Sequence, residues 1–316
     1  MKNWQTCFAV VVMFFVFFSL FSSVSFGQTS EDITPTDVWY LAKSIDDSLI
    51  SLYQLTGKFS KKRISNNLRP RNVYQKTLSV AEEFNHLHPN ALDSLKLSDA
   101  YTIDMRQAKP ADNYSILHLI KDWLISKNKF VESAGERTAK NPNDVFQMLR
   151  QISFHHTEIA GKLNIATTWG SPARVYEAVV TGVLPAVEGI ADEAGVKHED
   201  FLFPKQPVSG VKSRNVYHLL SQVYNNISRY YMNRGGYEPI IIEEVSDCDD
   251  ISPADVFDLA TIISTELKAR TGNKAMSAKT AGSYSRWKEG KDKIVPGDVF
   301  RLIQYNYILS RNVLEK

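Results

Sequence analysis

Apolar residues recur along this chain at the spacing of one helix face, each run following a repeated opening phrase. Pro35-Thr36-Asp37-Val38-Trp39 returns as Pro70-Arg71-Asn72-Val73-Tyr74, Pro110-Ala111-Asp112-Asn113-Tyr114 and Pro142-Asn143-Asp144-Val145-Phe146. The second half carries Pro172-Ala173-Arg174-Val175-Tyr176, Ser213-Arg214-Asn215-Val216-Tyr217, Pro253-Ala254-Asp255-Val256-Phe257 and Pro296-Gly297-Asp298-Val299-Phe300. Proline suits the first helical position, where its absent N–H has no partner to lose. An Asp or Asn two residues later faces the free amides and positive dipole of the first turn. Thr34, Asn141, Ser171 and Ser252 stand where an N-cap side chain is wanted. The phrase reads as a helix start.

Positions 3, 7, 10, 14 and 17 after each start follow a heptad seam, and 31 of these 40 sites are apolar, against about 17 expected from a 43% hydrophobic chain. The helices should be about 20 residues, roughly 30 Å, long. Their starts lie 35, 40, 32, 30, 41, 40 and 43 residues apart, which leaves long connections. The pattern predicts an all-α protein of eight long amphipathic helices, built as two four-helix bundles or as one continuous array. A break near Thr167–Ser171 gives units of 28–168 and 169–316. If neighbours run antiparallel, the aromatic at the fifth place of each phrase borders the last turn of the next helix and closes the bundle end.

The first residues add a compartment. Cys7 to Phe26 is an apolar run that ends at Ser25-Phe26-Gly27, small residues where signal peptidase would cut, so residues 1–27 read as a signal peptide. An uncleaved N-terminal anchor is the rival reading. The body is then expected to be periplasmic or secreted, with no later membrane span. Of two cysteines only Cys248 would remain, so no disulfide forms within the mature chain, and its acidic neighbours dull it as a nucleophile. A formal charge of +2 carries no basic field for nucleic acid.

Candidate chemistry lies where the pattern breaks. The fifth helix holds Gly182 and Pro185, and Pro185 should kink or end it, by opening a cavity or by stopping and restarting the helix. Asn113, His156 and Asn306 are polar residues on seam positions. Each either fixes register through one hydrogen bond or, with Gly182 and Pro185, holds the polar end of a small ligand between helices. His155-His156-Thr157-Glu158 and Glu83-x-x-His86 partly resemble the Glu-x-x-His arrangement of ferritin-like di-iron bundles, which makes Glu83, His86, His155, His156 and Glu158 the candidate metal residues. The match is incomplete, because the second motif is reversed and the further glutamates are missing. The acidic stretch from Glu243 to Asp250 lacks an EF-hand pattern, Lys58–Arg63 reads as a basic loop, and Tyr237–Val245 as a short strand or an extended segment over a bundle.

The chain shows no phosphate loop, nucleophile elbow, His-Glu-x-x-His or paired-thiol zinc motif. The sequence therefore points to an exported helical-repeat binding or scaffold protein of a bacterial-type envelope, its partner a protein or a small molecule, with no cofactor expected. The alternative is a metal-dependent oxidoreductase in the first bundle.

Overall fold

Helix α1, Pro35–Tyr53, starts at a reciprocal cap. The Thr34 N–H donates to the Asp37 carboxylate at 3.0 Å, and the Asp37 N–H donates back to Thr34 Oγ1 at 3.4 Å. The computed structural model describes residues 32–60, 64–92, 94–100, 103–244, 250–272 and 275–316. The expected signal segment 1–27 and Cys248 lie outside the described residues. The fold is all-α, with one antiparallel pair of two-residue strands among the described residues. After α1 come β1 (Ser65–Asn66), α2 (Pro70–Leu87), α3 (Ser94–Ala100), α4 (Pro110–Ser126) and α5 (Pro142–Leu163). Helix α6 (Pro172–Ala178) passes through a π segment (Val179–Val183) into α7 (Leu184–Glu193). Then follow α8 (Ser213–Met232), β2 (Ile241–Ile242), α9 (Pro253–Thr271), α10 (Ala278–Glu289) and α11 (Pro296–Leu314). Helices α3 and α10 lie in connections and do not open with the phrase. Of the expected Tyr237–Val245 segment, Ile241–Ile242 forms a strand that pairs with Ser65–Asn66 of the first connection.

The long helices run parallel, not antiparallel. Pro35, Pro70, Pro110 and Pro142 line one small hollow, and Pro172, Ser213, Pro253 and Pro296 line a second, so four N-termini meet at one end of each group. At the opposite end of the first group, Lys162 in the last turn of α5 donates to the carbonyls of Tyr53 and Gln54, where α1 ends. Helix α1 packs on α4 and α5, and α2 packs on the same two. In the second group α6–α7 packs on α9 and α11, and α8 packs on the same two. A parallel quartet explains the long connections, because the chain must travel back a helix length, roughly 30 Å, before each new start.

Four parallel helices also bring four positive dipole ends together, an unfavourable arrangement unless negative groups face them. The Asp or Asn of the phrase does this while closing the cap. Asp112, Asp144, Asp255 and Asp298 each accept from the N-cap N–H at 2.7–3.0 Å, and Asn72 and Asn215 do so through their amide oxygens. The aromatics at the fifth place then pack on returning connections rather than on a neighbour's last turn. Tyr74 donates to the Ala100 carbonyl, Tyr217 to the Ile64 carbonyl, and Tyr176 stacks on Trp287 of α10 at 4.6 Å.

The two quartets meet along α2 and α9, which run antiparallel. Arg71, second in α2, forms a bidentate pair with Glu266 near the end of α9, both contacts at 2.7 Å. Lys76, one turn further along α2, meets Asp258 near the start of α9 at 2.8 Å. Thus the N-terminal end of the second quartet lies beside the flank of the first. That juxtaposition builds the cleft described next.

Candidate functional site

A cavity of about 460 Å3 opens at this junction. Its walls come from α2 and α5 on one side and from the first turns of α6 and α9 on the other, with the Lys58–Ser60 and Trp169–Gly170 connections across the ends. Gly170 turns the chain with φ +67°, a conformation that suits glycine, and brings Trp169 to the cavity.

The floor is an ion network at the α2–α5–α9 contact. Asp258 accepts from Lys76 Nζ at 2.8 Å and from Arg150 Nε at 2.8 Å, and Arg150 also reaches Asp255. These side chains are almost wholly buried, so the pairing is obligatory: removing one partner would strand an uncompensated charge. Asp255 serves twice, since its other oxygen closes the α9 cap by accepting from the Ser252 N–H at 2.8 Å.

Glu83 lies at the back. Burial pushes its carboxyl up, but the hydrogen bond from His156, with the charges of Lys76, His156 and Arg174, outweighs this and holds it below the ordinary value of 4.5. His156 Nδ1 is 3.3 Å from Glu83 Oε2, and Arg174 is 3.6 Å from Oε1. The Arg174 guanidinium donates to Ser79 Oγ at 2.9 Å and lies over the Phe257 ring at 4.6 Å. Phe59, Phe154 and Trp169 supply further aromatic surface.

The sequence-derived candidates scatter around this cleft. Glu83 lines it, with His156 directly behind; His156 is fully buried and its Nε2 has no hydrogen-bond partner among the described residues. Asn113 sits at the N-terminal hollow of the first quartet, accepting from Thr77 at 2.8 Å and donating to the Lys109 carbonyl at 3.1 Å. Asn306 donates to the Leu302 carbonyl at 2.8 Å within α11, its oxygen unpartnered among the described residues. Gly182 lets the π segment press against α9, since a Cβ there would overlap Ser264.

Pro185 does not break its helix. Ala178, Val183 and Leu184 all keep right-handed helical dihedrals, and the Leu184 N–H reaches back to the Val179 carbonyl, one residue further than in an α-helix. The extra residue in that turn accommodates the ring that would collide with the carbonyl four positions earlier.

The five metal candidates face three different places. Glu83 pairs with His156. His155 pairs with Asp46 at 2.6 Å, and Glu158 accepts from the Thr56 and Gly57 N–H groups at 3.1 Å. His86 reaches the Ala166 carbonyl at 3.3 Å and abuts Trp169. Among the described residues no three His, Cys, Asp or Glu side chains gather to hold a metal ion. A further imidazole, His88, is stacked on Trp123 and bonded to Tyr53, and burial together with the His156 charge pushes it down to about 4.

Lys76, Arg150, Asp255, Asp258 and Arg174 escaped the sequence reading. Lys76, Arg150 and Asp258 carry no isolated signal, because charged residues beside a seam usually mean solvent-facing helix, and Asp255 stands out in the sequence only as the capping residue of its phrase. Arg174 was legible: it alone replaces the Asp or Asn of the phrase. Compared with protein-family models, curated proteins and solved structures, the chain matches none of them.

Proposed function

We propose that this chain is an exported binding protein of a bacterial-type envelope, non-catalytic, which holds a small molecule in the cleft between its two quartets. The observation that carries the reading is the cavity of about 460 Å3 itself, a size suited to a small organic ligand. Its walls are fixed in advance by Lys76, Arg150, Asp255 and Asp258, so a ligand entering it orders little protein. Aromatic faces and polar groups share the lining, the usual division between affinity and orientation.

The export half of the proposal rests on the apolar segment ending at Gly27. No described helix is long and apolar enough to cross a membrane. The oxidoreductase alternative finds no support in the geometry, because its candidate ligands point to three separate places rather than to one ion.

The reading is tested by thermal unfolding of dialysed protein with and without the low-molecular-weight extract of its own export compartment. A ligand that binds only the folded state raises the midpoint, by about 2.7 kcal/mol of stability at a hundredfold excess over Kd. The midpoint should rise in the wild type and stay fixed in Ala254→Trp, which fills the cleft from an exposed position. An unchanged wild-type midpoint contradicts the reading.

A further inference from the structure

We infer that the cleft receives an anionic group of its ligand, a carboxylate or phosphate, on the guanidinium of Arg174. The inference rests on the reading of the cleft as a ligand site. Seven of the eight phrases carry Asp or Asn where α6 carries Arg174, and in each of the seven that side chain closes the helix cap. A cation at this place forgoes that bond and faces the positive end of the helix dipole. Local stability therefore argues against the residue that is present.

What Arg174 does instead is present unspent donors to the cavity. Of its five N–H groups, one hydrogen bond is made to a described residue, Ser79. Glu83 at 3.6 Å and Glu82 at 3.9 Å attract it from beyond hydrogen-bond reach, and Phe257 holds its plane from one face. The side chain is 16% exposed, enough for a ligand to reach the fork. A guanidinium fork matches a carboxylate or phosphate edge through two parallel hydrogen bonds.

The charges of the lining leave this cation available. Lys76 and Arg150 are bound to Asp255 and Asp258 and cancel against them. Lys58, exposed on the opposite connection, makes no ion pair with a described residue, and its charge is matched in number by that of Asp250 on the same lining. The second quartet shows that the fold does not need the group behind Arg174 to be ionic. At the places corresponding to Glu83 and His156 it has Asn226 and Ser310, bonded at 3.1 Å. Glu83 is thus a positioning residue that orients Arg174 without consuming its donors.

The test is a titration of the full mature chain with inorganic phosphate, benzoate and neutral glucose, followed by NMR of the Arg174 Nε–H and of the cleft backbone amides. The expected result is a saturable Arg174 shift with phosphate or benzoate at a Kd no weaker than about 10 mM. It should weaken at least tenfold in Arg174→Asn and partly return in Arg174→Lys. Phosphate alone names a phosphoester ligand, and benzoate alone names a carboxylate. Cleft shifts with glucose and none with either anion overturn the inference while the binding reading stands. Anion shifts that persist in a folded Arg174→Asn chain also overturn it, and no cleft shift with any probe overturns it together with the binding reading.

Discussion

Asn226 donates a hydrogen bond to Ser310 at 3.1 Å, and the pair occupies the place in the second quartet that Glu83 and His156 occupy in the first. Counted from the start of their helices, Asn226 and Glu83 are both at position 13, and Ser310 and His156 both at position 14. The same lateral contact is neutral in one quartet and ionic in the other. The ionic version is the one beside the cleft, and the neutral version shows that the packing does not require the charge.

Glu83→Gln should show this through pH. The Glu83 carboxyl is held below its ordinary 4.5, so its stabilising contribution is fully present above that value and is lost as pH falls through the lower folded pKa. Wild-type stability should therefore drop on acidification below about pH 4.5, and Glu83→Gln should flatten this slope in urea titrations at several pH values.

His155 should act in the opposite direction. Burial pushes it down, but the Asp46 carboxylate more than compensates and raises it above 6.5. Its contribution is complete below pH 6.5 and fades as pH rises through the folded pKa. Asp46→Asn should remove that alkaline loss and destabilise the protein by about 3 kcal/mol at pH 6, as expected for a broken buried pair, with denaturant unfolding as the measurement.

Replacing Arg174 by Asn recreates the cap that opens α2 and α8. Arg174→Asn should fold normally and unfold within about 1 kcal/mol of the wild type, the reciprocal cap bond offsetting the lost attraction to Glu83. A loss of several kcal/mol would mean that Arg174 is held for packing.

At Gly182 a Cβ would overlap Ser264 Oγ and lie 2.9 Å from its Cβ. Gly182→Ala should cost about 1–3 kcal/mol through overpacking, and Ser264→Gly in the same chain should recover most of it. Calorimetric melting of the two variants checks the pair.

The helical class was legible because the opening phrase joins proline, a capping side chain and a helix-period seam, three local signals that agree. The antiparallel arrangement considered for neighbouring helices does not occur within either quartet, and the chain carried the clue to this. Antiparallel neighbours need only short turns, whereas the 16 residues between Tyr53 and Pro70 are enough to travel back along a helix. The π segment escaped because Gly182 and Pro185 signal interruption, and only the packed structure shows an extra residue absorbing the proline. The cleft was largely hidden, since Lys76, Arg150 and Asp258 lie more than a hundred residues apart in places and acquire meaning only where α2 crosses α9. His156 was singled out as a polar seam residue, and the structure sets it behind Glu83; the departure at Arg174 lay in plain view within the phrase.

The most direct test of a ligand in the cleft is native mass spectrometry of the mature chain purified gently from its export compartment, set against its denatured mass and an elemental scan. The expected result is a discrete excess mass of an organic molecule on the wild type that is absent from Ala254→Trp prepared in the same way. A native mass equal to the denatured mass, or an excess that Ala254→Trp retains in full, would contradict the account.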